Sequence, residues 1–235
     1  MQEEKEKIRE SIWRKMERYE LATYPRPCYG SIPNFVGARS ATLKITRLPE
    51  YRRADTIFVD LSASMKFLRE FAIKHGKTLV LPAPDIRRGF IILDGAEVRN
   101  RSQLASTIKG AVMLGKKVRI LKDISVDIYA VGSVAVDLNG GRLGRGRGYD
   151  DLVYAILREL RVTREDTPIL TIVHDIQIID SVPMDVHDFP VDYIATPSRF
   201  IRTNTSIKKP NGIFWESLSV DTIREIPILR ILAGI

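Results

Sequence analysis

Cysteine is almost absent from this chain. Cys28 stands alone, which excludes an internal disulfide and any multi-cysteine zinc site. No histidine lies near it in sequence, so nothing points to an activated thiolate, and the plain reading is an inert thiol. Histidine is scarce as well, with 3 residues in 235. Also missing is any run approaching the ~18 consecutive apolar residues of a membrane-spanning helix. The opening stretch, MQEEKEKIRESIWRKM, is charged throughout and reads as neither a secretory signal nor an apolar anchor. Together these absences predict a cytoplasmic protein with no membrane partner.

What is present is the balance of a globular domain: 44% hydrophobic and 28% charged residues. A chain of this length buries a substantial core. Neither an internal repeat nor a polar linker divides it, so residues 1–235 read as one domain, with residues 1–40 a helix and a proline-rich arm packed on it. Lys plus Arg outnumber Asp plus Glu by 37 to 29, a formal net charge of +8. Such an excess favours phosphorylated or polyanionic ligands, nucleotide or nucleic acid, without choosing between them.

Ile8, Ile12 and Met16 recur at helical spacing beside Trp13, which predicts an amphipathic helix over Glu3 to Leu21. YPRPCYGSIPNFVGA stops it. TIFVDL reads as a strand and SASMKFLREFAIKHGK as a helix, capped near Ser62 or Ser64 and closed at Gly76. KTLVLPAP is a short buried strand, GFIILDG a strand ending in an Asp-Gly turn, and Gln103 to Leu114 a helix. KKVRIL, the first part of VDIYAVGSVAVDL, PILTIVHDIQII and VDYIATPSRFI supply further strands, and DDLVYAILREL a helix. Strands apolar on both faces, alternating with helices, predict an α/β fold built on a largely parallel sheet flanked by helices.

One stretch differs from all others. NGGRLGRGRGYDDL runs from Asn139 to Leu152, between an apolar strand and a helix. Glycines let backbone N–H groups approach a ligand closely, and a helix N-terminus adds unpaired donors and partial positive charge. Arg142, Arg145 and Arg147 add forked, charge-assisted contacts for phosphate oxygens. The Walker loop is excluded because no Gly-Lys-Ser/Thr follows, and the dinucleotide fingerprint because the spacing is G-x-G-x-G. A disordered Arg-Gly segment binding RNA is the remaining alternative, and the apolar flanks speak against it. Asp150 and Asp151 begin the next helix, where one of them serves as N-cap or holds a magnesium ion on bound phosphates; both readings stand at this point. His174-Asp175 and His187-Asp188 are the pairs that invite a metal centre, and a carboxylate from this region joining a magnesium site fits better than a histidine-based one.

These residues carry a resemblance. NGGRLGRGRGYDD is similar to the G-x-R-x-G-x-G-x-G-Y-Y-D signature of the 5-formyltetrahydrofolate cyclo-ligase family, also called methenyltetrahydrofolate synthetases. VDIYAVGSVAVDLNG resembles the family's strand and loop before that signature, and LTIVHDIQIIDSVPMDVHDFPVDYIATPSRFI its C-terminal strands and His-Asp segment. The resemblance implies an α/β fold of the ribose-phosphate isomerase and CoA-transferase type. It also implies an ATP- and magnesium-dependent ligase of one-carbon metabolism, which closes 5-formyltetrahydrofolate to the 5,10-methenyl form with release of ADP and phosphate.

Carried across residue by residue, Arg142, Gly144, Arg145, Gly146, Arg147 and Gly148 form the nucleotide loop, with Arg145 the catalytic candidate. Lys5 and Arg9 match the basic pair that reaches the nucleotide phosphates, Tyr149 lines the folate side, and Asp151 and Asp188 are the metal-ligand candidates. Two positions depart from the pattern: Asp150 replaces the signature's second tyrosine, and Ser64 stands where the family has a folate-contacting glutamate. The alternatives are a nucleotide- or RNA-binding module without catalysis, and an ATP-using enzyme acting on another small substrate.

Overall fold

The computed structural model describes residues 1–84 and 86–235. In chain order its strands are β1 Ala22–Thr23, β2 Asn34–Phe35, β3 Thr56–Val59, β4 Thr78–Pro82, β5 Phe90–Leu93, β6 Lys116–Val118, β7 Ile128–Ala130, β8 Ala135–Asp137, β9 Arg142–Leu143, β10 Ile169–Ile172, β11 Ile178–Ile179, β12 Tyr193–Ala195 and β13 Phe200–Arg202. The helices are α1 Gln2–Arg18, α2 Ala38–Ile45, α3 Pro49–Arg53, α4 Lys66–Lys74, α5 Gly95–Val98, α6 Ser102–Ala105, α7 Ile108–Leu114, α8 Tyr149–Glu159, α9 Val220–Glu225 and α10 Pro227–Ala233.

Eight strands form one sheet in the order β13-β12-β10-β7-β3-β4-β5-β6. The run from β12 to β4 is parallel, as the doubly apolar strands require. Antiparallel pairs flank it, β13 on one side and β5 with β6 on the other. Alternation along each strand sorts the side chains into two cores. Ile57, Val59, Leu79 and Leu81 face Ala41, Ile45, Leu68 and Ala72 of α2 and α4. Phe58, Val80 and Tyr129 face Val153, Tyr154, Ile156 and Leu157 of α8. Burying each large aliphatic side chain contributes ~1.5–3 kcal/mol, so a charge placed at Val80 would undo the second core.

Three local expectations are corrected. Asp94-Gly95 is not a turn but a helix start: the Asp94 carboxylate accepts from Ala96 N at 2.8 Å and Glu97 N at 3.3 Å, capping α5. The helix expected over Gln103 to Leu114 is broken into α6 and α7. At the break the Thr107 hydroxyl accepts from Gly110 N at 3.0 Å, and a Cβ on Gly110 would lie 1.9 Å from the Leu104 carbonyl oxygen. The first helix ends at Arg18 rather than Leu21, because the Leu21 carbonyl takes Val36 N at 2.9 Å and begins the β1–β2 ribbon.

The topology also positions a crevice. From β3 the chain crosses to β4 on one side, and from β7 to β10 on the other, so β3 and β7 form the switch point where such sheets open at their C-terminal ends. Asp60 follows β3 there. Its carboxylate accepts from Gly132 N at 2.8 Å, Ser62 N at 3.1 Å and Ser62 Oγ at 2.6 Å, tying the two strand ends together. Past β7, strands β8, β9 and β11 form a small second sheet, against which α1 packs.

Candidate anion-binding site

The stretch expected as one loop from Asn139 to Gly148 is two structures. Its first part is a hairpin: β8 turns and returns as β9, with Asp137 Oδ1 accepting from Asn139 N and Gly141 N. Arg142 therefore sits on a strand, 4% exposed, not on a mobile loop. Only Gly144 to Gly148 loops freely into α8. Gly146 has φ +90 and Gly148, the N-cap of α8, φ +61, conformations that suit glycine. Neither Asp150 nor Asp151 is the cap; both lie in the first turn of α8.

One cleft gathers what the sequence proposed separately. Lys5, Arg9, Arg142, Gly144 to Gly148, Tyr149, Asp151 and Asp188 all line it, joined by Gln2, Asp150 and His187. It encloses about 100 Å³, room for a phosphate-sized group, whereas clefts for whole small molecules run to ~300–1,000 Å³. α1 forms one wall because its apolar residues Ile12, Trp13 and Met16 bury, which turns Lys5 and Arg9 inward. Lys5 Nζ donates to Asp188 Oδ2 at 2.5 Å and Asp185 Oδ2 at 3.1 Å. Arg9 Nε donates to the Gly144 carbonyl at 2.9 Å, and its Nη1 to Glu6 Oε2 at 2.8 Å. Arg145 lies over the Tyr149 ring at 5.6 Å, and the Tyr149 hydroxyl donates to the Ala83 carbonyl at 2.9 Å.

Arg142 is the unusual residue. Its guanidinium stacks on Phe189 at 4.3 Å, yet neither Nη1 nor Nη2 makes a hydrogen bond among the described residues. Its nearest anions are Asp150 Oδ2 at 3.6 Å and Asp151 Oδ1 at 3.8 Å, too far for hydrogen bonds. A buried guanidinium left so is costly unless a ligand completes it. The carboxylates around it are equally strained. Burial pushes Asp150 up to about 6 and raises Asp151, with Arg142 pulling both the other way. Asp60 reinforces the rise at Asp150, and Asp188 that at Asp151.

Other sequence candidates are placed elsewhere. Cys28 is buried, and its thiol is pushed up to about 12 by burial and its contact with Glu17, which leaves it unreactive. His174 caps the 3-10 turn Asp175–Gln177, and Asp175 is engaged by Thr196, Ser198 and Arg199. His75 meets the Tyr51 hydroxyl at 3.0 Å. Among the described residues no group of three or more His, Cys, Asp or Glu side chains is placed to hold a metal ion. Nor is any helix among them long and apolar enough to cross a membrane. Ser64 is fully buried, its hydroxyl 3.3 Å from Ser62 Oγ. Asp60 and Asp185 escaped the sequence reading. The one available signal for Asp60 was its position directly after a buried strand.

A largely parallel sheet with a cleft lined by glycine-framed, arginine-rich donors defines an α/β protein with a candidate anion site. The chain belongs to the 5-formyltetrahydrofolate cyclo-ligase family, whose sequence model it matches over residues 1–197. It is 39% identical over 234 residues to the methenyltetrahydrofolate synthase domain-containing protein of Bos taurus, covering 97% of this chain and 61% of the relative. The human protein of the same name is 37% identical over 234 residues, again with 97% and 61% covered. The chain thus spans about three fifths of the length of these relatives. Its fold is that of the Aquifex aeolicus 5,10-methenyltetrahydrofolate synthetase solved by NMR, with a TM-score of 0.54 at 20% identity over 86% of this chain and 94% of the other.

Proposed function

We propose that this protein is an ATP- and magnesium-dependent cyclo-ligase that converts 5-formyltetrahydrofolate, or a related reduced pterin, to the 5,10-methenyl form with release of ADP and phosphate. Family membership supports the reaction class. The observation that carries the nucleotide half is Arg142: buried, with both Nη atoms lacking hydrogen bonds, on the wall of the cleft that also holds Lys5, Arg9 and Arg145.

In this reading the Gly144–Gly148 amides and Arg147 cradle the phosphates at the start of α8. Arg142 and Arg145 stabilise the charge on the phosphoryl group as it moves to the formyl oxygen. Such chemistry needs positioning and charge neutralisation rather than a covalent nucleophile. Lys5 leaves Asp188 and Asp185 to take a phosphate oxygen, which releases the Asp188 carboxylate. Asp151 and Asp188 line the same cleft and are hard oxygen donors, a set that fits magnesium, which takes one or two protein carboxylates. The ion supplies neutralisation of the phosphate charge. Tyr149 borders the second substrate. Through its bond to Ala83 it adjoins an apolar pocket of about 340 Å³ walled by Ala83, Pro84, Ile91 and Val112, with Arg88 and Lys117 at its polar points. That combination suits a flat ring system carrying an acidic tail.

The test is turnover: purified protein with Mg-ATP and 5-formyltetrahydrofolate, followed by methenyl absorbance and phosphate release. Mg-ATP binding without turnover would sink the cyclo-ligase reading and leave a nucleotide-binding one.

A further inference from the structure

We propose that Asp150 is a specificity-determining residue, whose carboxylate ends the anion-binding half of the cleft and accepts a hydrogen bond from an N–H group of the non-nucleotide substrate. This rests on the cyclo-ligase reading above.

The cleft is not uniformly cationic. Lys5, Arg9 and Arg145 with the glycine-loop amides make one part of it a set of donors. Asp150 interrupts that set from the inner wall, its side chain 14% exposed. Arg142 Nη2 approaches its carboxylate only to 3.6 Å, and among the described residues Arg142 makes no hydrogen bond through either Nη atom. The two groups therefore present an acceptor and a donor 3.6 Å apart, each incomplete. Gly144 keeps the space before them open. A Cβ there would lie 2.9 Å from Arg142 Nη1 and 3.2 Å from Asp150 Oδ2, so any side chain would press on the pair.

A phosphate cannot complete both. It offers acceptor oxygens to Arg142 but only repulsion to Asp150. With a phosphate oxygen on one Arg142 Nη, what completes Asp150 and the remaining Nη is an edge with an acceptor atom beside an N–H, as in a cyclic amide or an aminopyrimidine. A pterin carries such an edge, and so does the base of the nucleotide, so the two sources must be separated by experiment. The setting behind Asp150 favours the second substrate. Asp60 acts electrostatically on Asp150 and is bonded to Ser62, which contacts the buried Ser64. Asp150 thus lies within electrostatic reach of the polar groups at the switch point of the sheet as well as of the glycine loop.

The experiment compares wild type, Asp150→Ala and Asp150→Asn, with thermal melts confirming that each is folded. At saturating Mg-ATP, Asp150→Ala raises KM for 5-formyltetrahydrofolate by roughly 10- to 100-fold, the loss expected when a buried bond to a charged acceptor disappears. KM for ATP stays within about threefold, and Asp150→Asn, which keeps an acceptor oxygen, recovers part of the folate loss. Inorganic tripolyphosphate without metal, titrated by calorimetry, binds Asp150→Ala several-fold more tightly than wild type, because a repelling charge is gone. A loss confined to ATP, or an unchanged KM for the folate, overturns the assignment. So does tripolyphosphate binding that is no tighter. If the wild type binds Mg-ATP but turns over no folate, the cyclo-ligase reading has failed, and the tripolyphosphate comparison still decides whether Asp150 bounds the anion site.

Discussion

Arg69 is the residue whose replacement tests how the crevice is held open. It lies in α4, 2% exposed, and points a full guanidinium at backbone carbonyls: Nε to Ser106 at 2.8 Å, and Nη1 to Asp60 at 2.6 Å and Ser62 at 3.0 Å. Burial lowers its pKa to about 10, so it remains charged at neutral pH. Arg69→Met keeps the apolar stem and deletes the donors. The Asp60 and Ser106 carbonyls then lose their partner, at ~1–3 kcal/mol for each that stays buried, while Ser62 keeps Met65 N at 3.2 Å and relief of the guanidinium's desolvation offsets part of the sum. A net loss of ~3 kcal/mol is expected, and at ~2–4 °C per kcal/mol for a domain of this size the melting temperature falls by ~6–12 °C. Because two of the carbonyls flank the Asp60–Ser62 loop, nucleotide affinity measured well below the new melting temperature should also drop. A variant that melts within 2 °C of wild type would refute the clamp, and one that melts lower yet binds Mg-ATP unchanged would show that the loop does not depend on it.

Arg142→Ala removes the buried donor with no internal partner and should weaken Mg-ATP binding by ~100-fold in calorimetry; an unchanged Kd would move the anion site elsewhere. Gly144→Ala forces a Cβ to 2.9 Å from Arg142 Nη1, so nucleotide affinity should fall by ~10-fold while circular dichroism stays native, the cost of a displaced bidentate contact. Asp150 titrates near 6 in the native state against an ordinary 3.8, so the native protein holds a proton that the unfolded chain has lost. Wild-type stability therefore falls as pH rises from about 4 to about 6 and then levels, and Asp150→Asn gains on it across that window. Urea midpoints at pH 4.5 and 7.5 check this, and a pH-independent difference between the two proteins would count against it.

The glycine-arginine stretch, the helix after it and the alternation of strands and helices were legible because each is local. Gly148, Tyr149 and the apolar face of α8 follow one another within a dozen residues. The cleft walls were not legible in that way. Lys5 meets Asp188 across 183 positions, and Asp60 meets Gly132 across 72, so neither contact follows from spacing. They require knowing that β3 and β7 are neighbours and that α1 packs on β8. The resemblance did place Lys5 and Asp188 in the site, but it did not show that each neutralises the other. The hairpin that buries Arg142 was missed for a further reason. Gly140 and Gly141 make the whole stretch read as loop, while the two-residue strand that follows is too short to show a period. The C-terminal helices α9 and α10, which with Ile226 between them and Ile228 and Leu229 of α10 complete the second core, are equally short and were not anticipated.

The wall that α1 supplies also sets an order on biosynthesis. This helix leaves the ribosome well before its partners: Gly144, which pairs with Arg9, follows 135 residues later, and Asp188, which pairs with Lys5, 183 residues later. At ~5–20 residues per second the gap is roughly 7–37 s, against microseconds for the helix itself to form. Early in that interval α1 has neither β8 nor the 3-10 turn Asp175–Gln177 to pack on. The same interval separates the formation of a helix from the existence of a binding site.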